Sequence, residues 1–167
     1  MIDRIVRLVR HLFETRFATR LRFTPVVLDR LEAAVAAAEG QHQGELRLVI
    51  ETDLDAWSIL AGKTSRQRAL EVFAGSRVWD TESNNGVLIY VLFADRAVEI
   101  VADRGFNDLV TPAEWAAVCR AVEGEFRQGR WEQGAIAGVE GVARLLARHF
   151  PGTGRQGNEL PDRPVLL

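Results

Sequence analysis

Residues 79–93 read Trp79-Asp80-Thr81-Glu82-Ser83-Asn84-Asn85-Gly86-Val87-Leu88-Ile89-Tyr90-Val91-Leu92-Phe93, and the chain continues through Asp95-Arg96 to Asp103-Arg104-Gly105. Every position from Val87 to Phe93 is apolar, the pattern of a strand covered on both faces. A second strand from Ala97 to Val101 follows after very few residues, which predicts an antiparallel hairpin. Polar chemistry is concentrated at the strand ends. Because a buried strand leaves its side chains little room to react, the loops at 79–86 and 103–108 are where a site is expected.

Upstream, Leu46 to Thr52 reads as a strand, and a polar segment through Asp53, Asp55 and Gly62 leads to a helix from about Ser65 to Phe73. Thr24-Pro25 combines an N-cap with a proline at the first helical position and opens an alanine-rich helix that Gly40 stops. Downstream, Thr111-Pro112-Ala113-Glu114 is a capping box that opens a helix burying Trp115, Val118, Cys119, Val122 and Phe126. Gly129 ends that helix. A last helix runs from about Trp131 to Phe150, its glycines at 134, 138 and 141 implying close packing against a neighbour. The order predicts an α/β fold: a three-layer α/β/α sandwich with a mixed central sheet containing a β-hairpin.

At the start of the chain, Ile2, Ile5, Val9, Leu12, Phe13, Phe17 and Leu21 recur at three- and four-residue spacing. They draw one apolar stripe on an amphipathic helix whose other face is rich in arginine. Three roles are open to it: lying on an anionic membrane surface, docking on a partner or a second copy, or packing on its own domain. The expected organisation is a basic amphipathic helix over 1–23, a domain over 24–150, and a disordered tail over 151–167, where Gly and Pro accumulate and apolar residues are few.

With 167 residues and 47% apolar content, one sizeable core is the default. The formal net charge of -2 argues against nucleic acid as the dominant partner, although residues 1–23 carry six Arg against Asp3 and Glu14, a net of +4, leaving -6 elsewhere. The single Cys119 falls in an apolar helical pattern, so it reads as a buried structural cysteine. Arg4, Arg7 and Arg10 interrupt any signal-peptide core, and no apolar run is long enough to span a bilayer; the expectation is cytoplasmic, with association at a membrane surface left to the helix.

Gly62-Lys63-Thr64 fails as a phosphate loop because Trp57 stands where that motif needs its first glycine. Thr64 or Ser65 is better placed to cap the next helix. His11, His42 and His149 have no partner at metal-ligand spacing and are expected at the surface. Asp80, Glu82, Asp103 and Asp108 are the carboxylates of the two loops, and with loop amides and carbonyls they form the donor set a hard cation such as Ca²⁺ or Mg²⁺ requires. Solvated loop charges are the alternative. Arg68 and Arg104 are candidates to hold a phosphate or, equally, to form ion pairs.

At Arg68-Ala69, Trp79-Asp80-Thr81, Asn84-Asn85-Gly86-Val87-Leu88-Ile89-Tyr90 and Arg96 to Gly105, the chain resembles the TPM domain, the family named for thylakoid lumen, photosystem II repair and worm membrane-associated proteins. The resemblance spans about 25–150 and includes the Phe126-Arg127-Gln128-Gly129 passage to Gly134. It implies an α/β/α sandwich with a mixed sheet, an acid phosphatase activity proposed for some members and divalent-metal binding in others. Two departures stand out. Asn84 occupies the place where phosphatase-like members usually carry Asp, and Gly105-Phe106-Asn107 followed by Thr111-Pro112 lacks a second acidic residue.

Three functions follow as expectations. The first is a cation-binding module, with Asp80, Glu82, Asp103 and Asp108 as ligands and Trp79, Thr81, Asn84, Asn85 and Gly86 shaping the loop, acting with a protein or membrane partner. The second is a metal-dependent phosphomonoesterase with Asp103, Arg104 and Arg68 as candidate catalytic residues. The third is a scaffold that presents the N-terminal helix.

Overall fold

The apolar run from Gly86 forms a strand whose every residue is buried, in a computed structural model that describes residues 2–152 and 158–167. In chain order the described residues form helices Ile2–Phe13 (α1), Arg16–Arg22 (α2) and Pro25–Glu39 (α3), strand Glu45–Glu51 (β1), helices Ala56–Ala61 (α4) and Ser65–Gly75 (α5), and strands Gly86–Leu92 (β2) and Ala97–Ala102 (β3). A short 3-10 turn at Arg104–Phe106, helices Pro112–Arg127 (α6) and Trp131–His149 (α7), and strand Val165–Leu166 (β4) complete the order.

The sheet runs β3-β2-β1-β4 and is mixed. β2 and β3 pair antiparallel, Ile89 opposite Ile100. Arg96 makes their turn at φ 52°, its N–H donating to the Phe93 carbonyl at 3.0 Å. β1 runs parallel to β2, from Glu45 opposite Gly86 to Glu51 opposite Leu92. Parallel neighbours need a crossover, which α4 and α5 supply. At the free edge, an Arg66 guanidinium N–H donates to the Ile100 carbonyl.

Alternation along the strands sends side chains to two separate cores. Leu46, Leu48, Ile50, Val87, Ile89 and Val91 point to the face covered by α3, α6 and α7. Val49, Leu88, Tyr90 and Leu92 point to the face covered by α4 and α5. The three layers are therefore as the pattern predicts. A Cβ placed on Gly134 or Gly141 of α7 would meet Phe126 at 2.5 Å or Val118 at 2.7 Å, so these glycines set the close approach of α7 to α6.

Four expectations are corrected. The single helix over 1–23 is two helices, because the chain leaves the helical conformation near Glu14 and Thr15 caps a new start, its Oγ1 accepting the Ala18 N–H at 3.2 Å. The polar segment before Gly62 contains α4, capped by Asp55 and stopped by Gly62 at φ 84°. Of the supposed tail, 153–157 lie outside the described residues, whereas 158–167 lie on the domain: Leu160 is buried, and β4 extends the sheet by pairing parallel with Val49 and Ile50. Finally, His11 and His42 are buried rather than at the surface, because each is enclosed by segments distant in sequence.

Candidate functional site

The 79–86 and 103–108 loops meet at the start of β2. The Asp103 N–H donates to the Gly86 carbonyl and the Gly105 N–H to the Asn84 carbonyl, each at 2.9 Å. Arg104 Nε donates to Asn84 Oδ1 at 2.7 Å. Close backbone approach explains both glycines: a Cβ on Gly105 would lie 2.3 Å from the Asn84 carbonyl oxygen of the facing loop, and one on Gly86 would lie 1.9 Å from the Val78 carbonyl oxygen at the start of its own loop. Asn84 itself takes φ 53°, a left-handed conformation that Asn tolerates better than most residues.

Asn85 is fully buried and anchors the junction to β1. Its N–H donates to Thr81 Oγ1 at 3.1 Å, its Nδ2 to the Gln43 carbonyl at 2.7 Å, and its own carbonyl accepts the Glu45 N–H at 3.3 Å. With Nδ2 so engaged, Oδ1 is left buried with no donor. Asp103 has a similar imbalance. Oδ1 accepts the Arg104 N–H at 2.7 Å and caps the 3-10 turn, whereas Oδ2 is buried without a donor.

The remaining predicted carboxylates are more dispersed. Asp80, Glu82 and Asp108 are exposed; the Glu82 N–H donates to Glu159 Oε2 at 3.0 Å, and Asp108 takes φ 64°. Asp103 and Asp108 do share a cleft of about 700 Å³ between β3 and α6, floored by Phe106 and Trp115 and rimmed by Arg66, Arg120 and Glu123. Among the described residues, no three His, Cys, Asp or Glu side chains are grouped so as to hold one metal ion. Trp79 is half-exposed, its indole N–H reaching the Ala74 carbonyl at 3.4 Å.

Arg68 is elsewhere. Its Nε and a terminal N–H donate to the two Glu51 carboxylate oxygens, both at 2.8 Å, and Tyr90 Oη donates to Glu51 Oε2 at 2.6 Å. Glu51 closes β1 and Glu45 opens it, so the network and the loop junction are separated by the length of that strand, about 20 Å at ~3.3 Å per residue. Hydrogen bonding to Glu51 raises the Arg68 pKa, although burial opposes it. Burial, then the Glu51 bond and charge, push the Tyr90 phenol far up. A second polar cleft of about 310 Å³ opens there, bounded by Arg16, Glu51, Asp53, Asp55, Lys63 and Arg68. It lies at the carboxyl end of β1, where open α/β sheets commonly bind ligands.

Sequence reasoning missed Glu51, Asp53 and the His11–Asp95 contact. Tyr90 carried the one available signal, a lone phenol in an aliphatic strand, because a buried hydroxyl needs a partner.

Comparison with known proteins places these features in a family context. The pattern of the TPM domain matches residues 22–145. An NMR structure of the BA42 protein from the psychrophilic bacterium Bizionia argentinensis is similar with a TM-score of 0.74 and 29% identity, over 86% of this chain and 94% of that one. The N-terminal domain of a P. gingivalis protein, solved by solution NMR, shares the fold with a TM-score of 0.62 and 16% identity, over 80% of this chain and 82% of that one. No curated protein gives a significant match.

Proposed function

The chain belongs to the TPM domain family, and from that premise we propose that it holds a divalent cation at the junction of the 79–86 and 103–108 loops. The observation that carries this reading is Asp103 Oδ2, a carboxylate oxygen buried with no donor. Such a group is costly in isolation, and an oxygen-preferring cation such as Ca²⁺ or Mg²⁺ relieves the cost. Asp103 would be the charged ligand, and Asn85 Oδ1, buried in the same junction, is a second oxygen of the right kind. Asp80, Glu82 and Asp108 are the other carboxylates those loops offer.

Few charged ligands mean modest affinity, in the range of about 10⁻⁴ to 10⁻³ M by analogy with weakly charged Ca²⁺ sites. Bound there, the cation would draw the two loops together and supply Lewis-acid polarisation to any phosphoryl oxygen entering the cleft. A metal-dependent phosphomonoesterase is the rival reading. It is less well supported, because of the two candidate arginines Arg68 is committed to Glu51 at the far end of β1, and Arg104, which neighbours Asp103, already donates to Asn84.

A thermal-denaturation series of the full chain with Ca²⁺, Mg²⁺, Mn²⁺ or EDTA tests the proposal. At 10-fold excess over Kd a cation adds about 1.4 kcal/mol, a rise of a few degrees. Asp103→Asn should abolish that rise. A midpoint indifferent to every cation, or a response that survives Asp103→Asn, defeats the reading. Turnover of an aryl phosphate in Mg²⁺ that is lost in the same variant would favour the enzyme.

A further inference from the structure

Helix α1 packs against the domain through its charged side and presents its apolar side to solvent. Arg7, Arg10 and His11 close on Asp95, and Arg4 donates to the Leu60 carbonyl at 2.9 Å. Of its apolar residues only Leu8 is partly buried. Ile2, Ile5, Val9, Leu12 and Phe13 are 45% to 82% exposed, and at 100° per residue they fall within one arc of about 100°. Helix α2 carries two further exposed apolar side chains, Phe17, 72% exposed, and Leu21, 62% exposed. A contiguous apolar surface of this kind on a folded domain marks something that covers it.

Charge selects the occupant. Arg16 and Arg20 flank Phe17 and Leu21, are exposed, and have no acidic partner among the described residues. Arg7 and Arg10 pair with Asp95 and Arg22 with Glu14, so Arg16 and Arg20 are, among the described residues, the unpaired cations at this surface, and a second copy brought face to face would set them against like charge. An anionic bilayer meets both demands: acyl chains for the apolar arc and acidic headgroups for the arginines. We propose that α1 and α2 form an interfacial anchor by which the domain lies on an anionic lipid surface, the apolar arc inserted and the sheet held above it.

The test is vesicle flotation of the full chain in EDTA, so that cation bridging between headgroups and loop carboxylates contributes nothing. Vesicles of phosphatidylcholine alone are compared with vesicles containing about a third phosphatidylglycerol. Binding to the anionic vesicles at least about tenfold stronger, weakened by salt and lost in Val9→Glu/Phe13→Glu and in Arg16→Glu/Arg20→Glu, supports the proposal. These side chains are exposed, so unchanged melting of the variants shows that the fold is kept. Three results overturn it: no flotation with anionic vesicles, equal flotation with both kinds, or a dimer in sedimentation velocity that Val9→Glu dissociates.

Discussion

His11 and Asp95, eighty-four positions apart, meet with Nε2 at 3.1 Å from Oδ1, while His11 Nδ1 accepts the Leu54 N–H at 2.9 Å. The second bond assigns the ring proton to Nε2, so the imidazole donates to the carboxylate and both nitrogens are used. Arg7 reaches the same carboxylate from α1, its Nε 2.9 Å from Oδ2. One residue of the hairpin turn thus holds the first helix in place.

Burial acts to raise the Asp95 carboxyl, but the hydrogen bonds from His11 and Arg7 and the charge of Arg7 outweigh it and hold the group well below the usual carboxylate range. A depressed carboxylate contributes stability that is complete above the ordinary carboxylate pKa and lost only as acid titrates the folded form. Asp95→Asn should therefore cost about 2 kcal/mol at neutral pH and little at strongly acidic pH. Hydrogen exchange supplies the local check: residues 2–13 should lose protection while β1 and β2 keep theirs, and equal loss throughout would show that Asp95 does not act on α1.

Glu39 behaves in the opposite sense. Burial pushes its carboxyl from 4.5 up to about 8, with the neighbouring Glu45 and Asp162 adding to the rise and the Leu46 N–H opposing it. The folded state then binds a proton that the unfolded state releases, so stability falls as pH climbs from about 4.5 to about 8 and levels off beyond. Glu39→Gln should remove this slope, a gain on the order of 1–2 kcal/mol at pH 8 after allowance for partial exposure. Urea melts at several pH values read it directly. Because Asp162 lies in the segment leading to β4, the wild-type chain should also lose protection at 165–166 first as pH rises.

Two glycines separate packing from propensity. Gly86→Ala would drive a methyl into the Val78 carbonyl oxygen, 1.9 Å away, where the neighbour is backbone and cannot swing aside. A loss of 3 kcal/mol or more, on the order of other severe overpacking or strain, is expected. Gly124 lies inside α6 with nothing within 4 Å of its added Cβ, so Gly124→Ala should stabilise by up to about 1 kcal/mol. Denaturant midpoints for both variants, at unchanged m-value, test the contrast.

The fold was legible where local pattern and tertiary environment agree. The unbroken apolar run at 87–93 announces a strand buried on both faces, and the Thr111 to Glu114 box forms with both of its reciprocal bonds. The break at Glu14–Thr15 was hidden because the three- and four-residue spacing of apolar residues continues across it. β4 was hidden because two residues carry no period, and they become a strand only by completing β1. The site was legible only in part. Strand order brings the Asn84 and Asp103 loops together, as adjacency in a hairpin suggests, but it sends Arg68 to the opposite end of β1, a separation that depends on parallel register and on the crossover through α5. Nor could spacing reveal that the arginine-rich face of α1 turns inward, since that depends on the remote Asp95.

The Arg66 bond to the Ile100 carbonyl bears on how the chain behaves in a crowd. β3 borders the sheet, and an exposed strand edge is a template on which another chain can polymerise. Here one outward acceptor is already occupied by a guanidinium, and Glu99, which accepts the Ser65 hydroxyl at 2.6 Å, adds a negative charge midway along the strand. An incoming strand would have to displace the first and desolvate the second, so this border works against fibrillar growth from the native state.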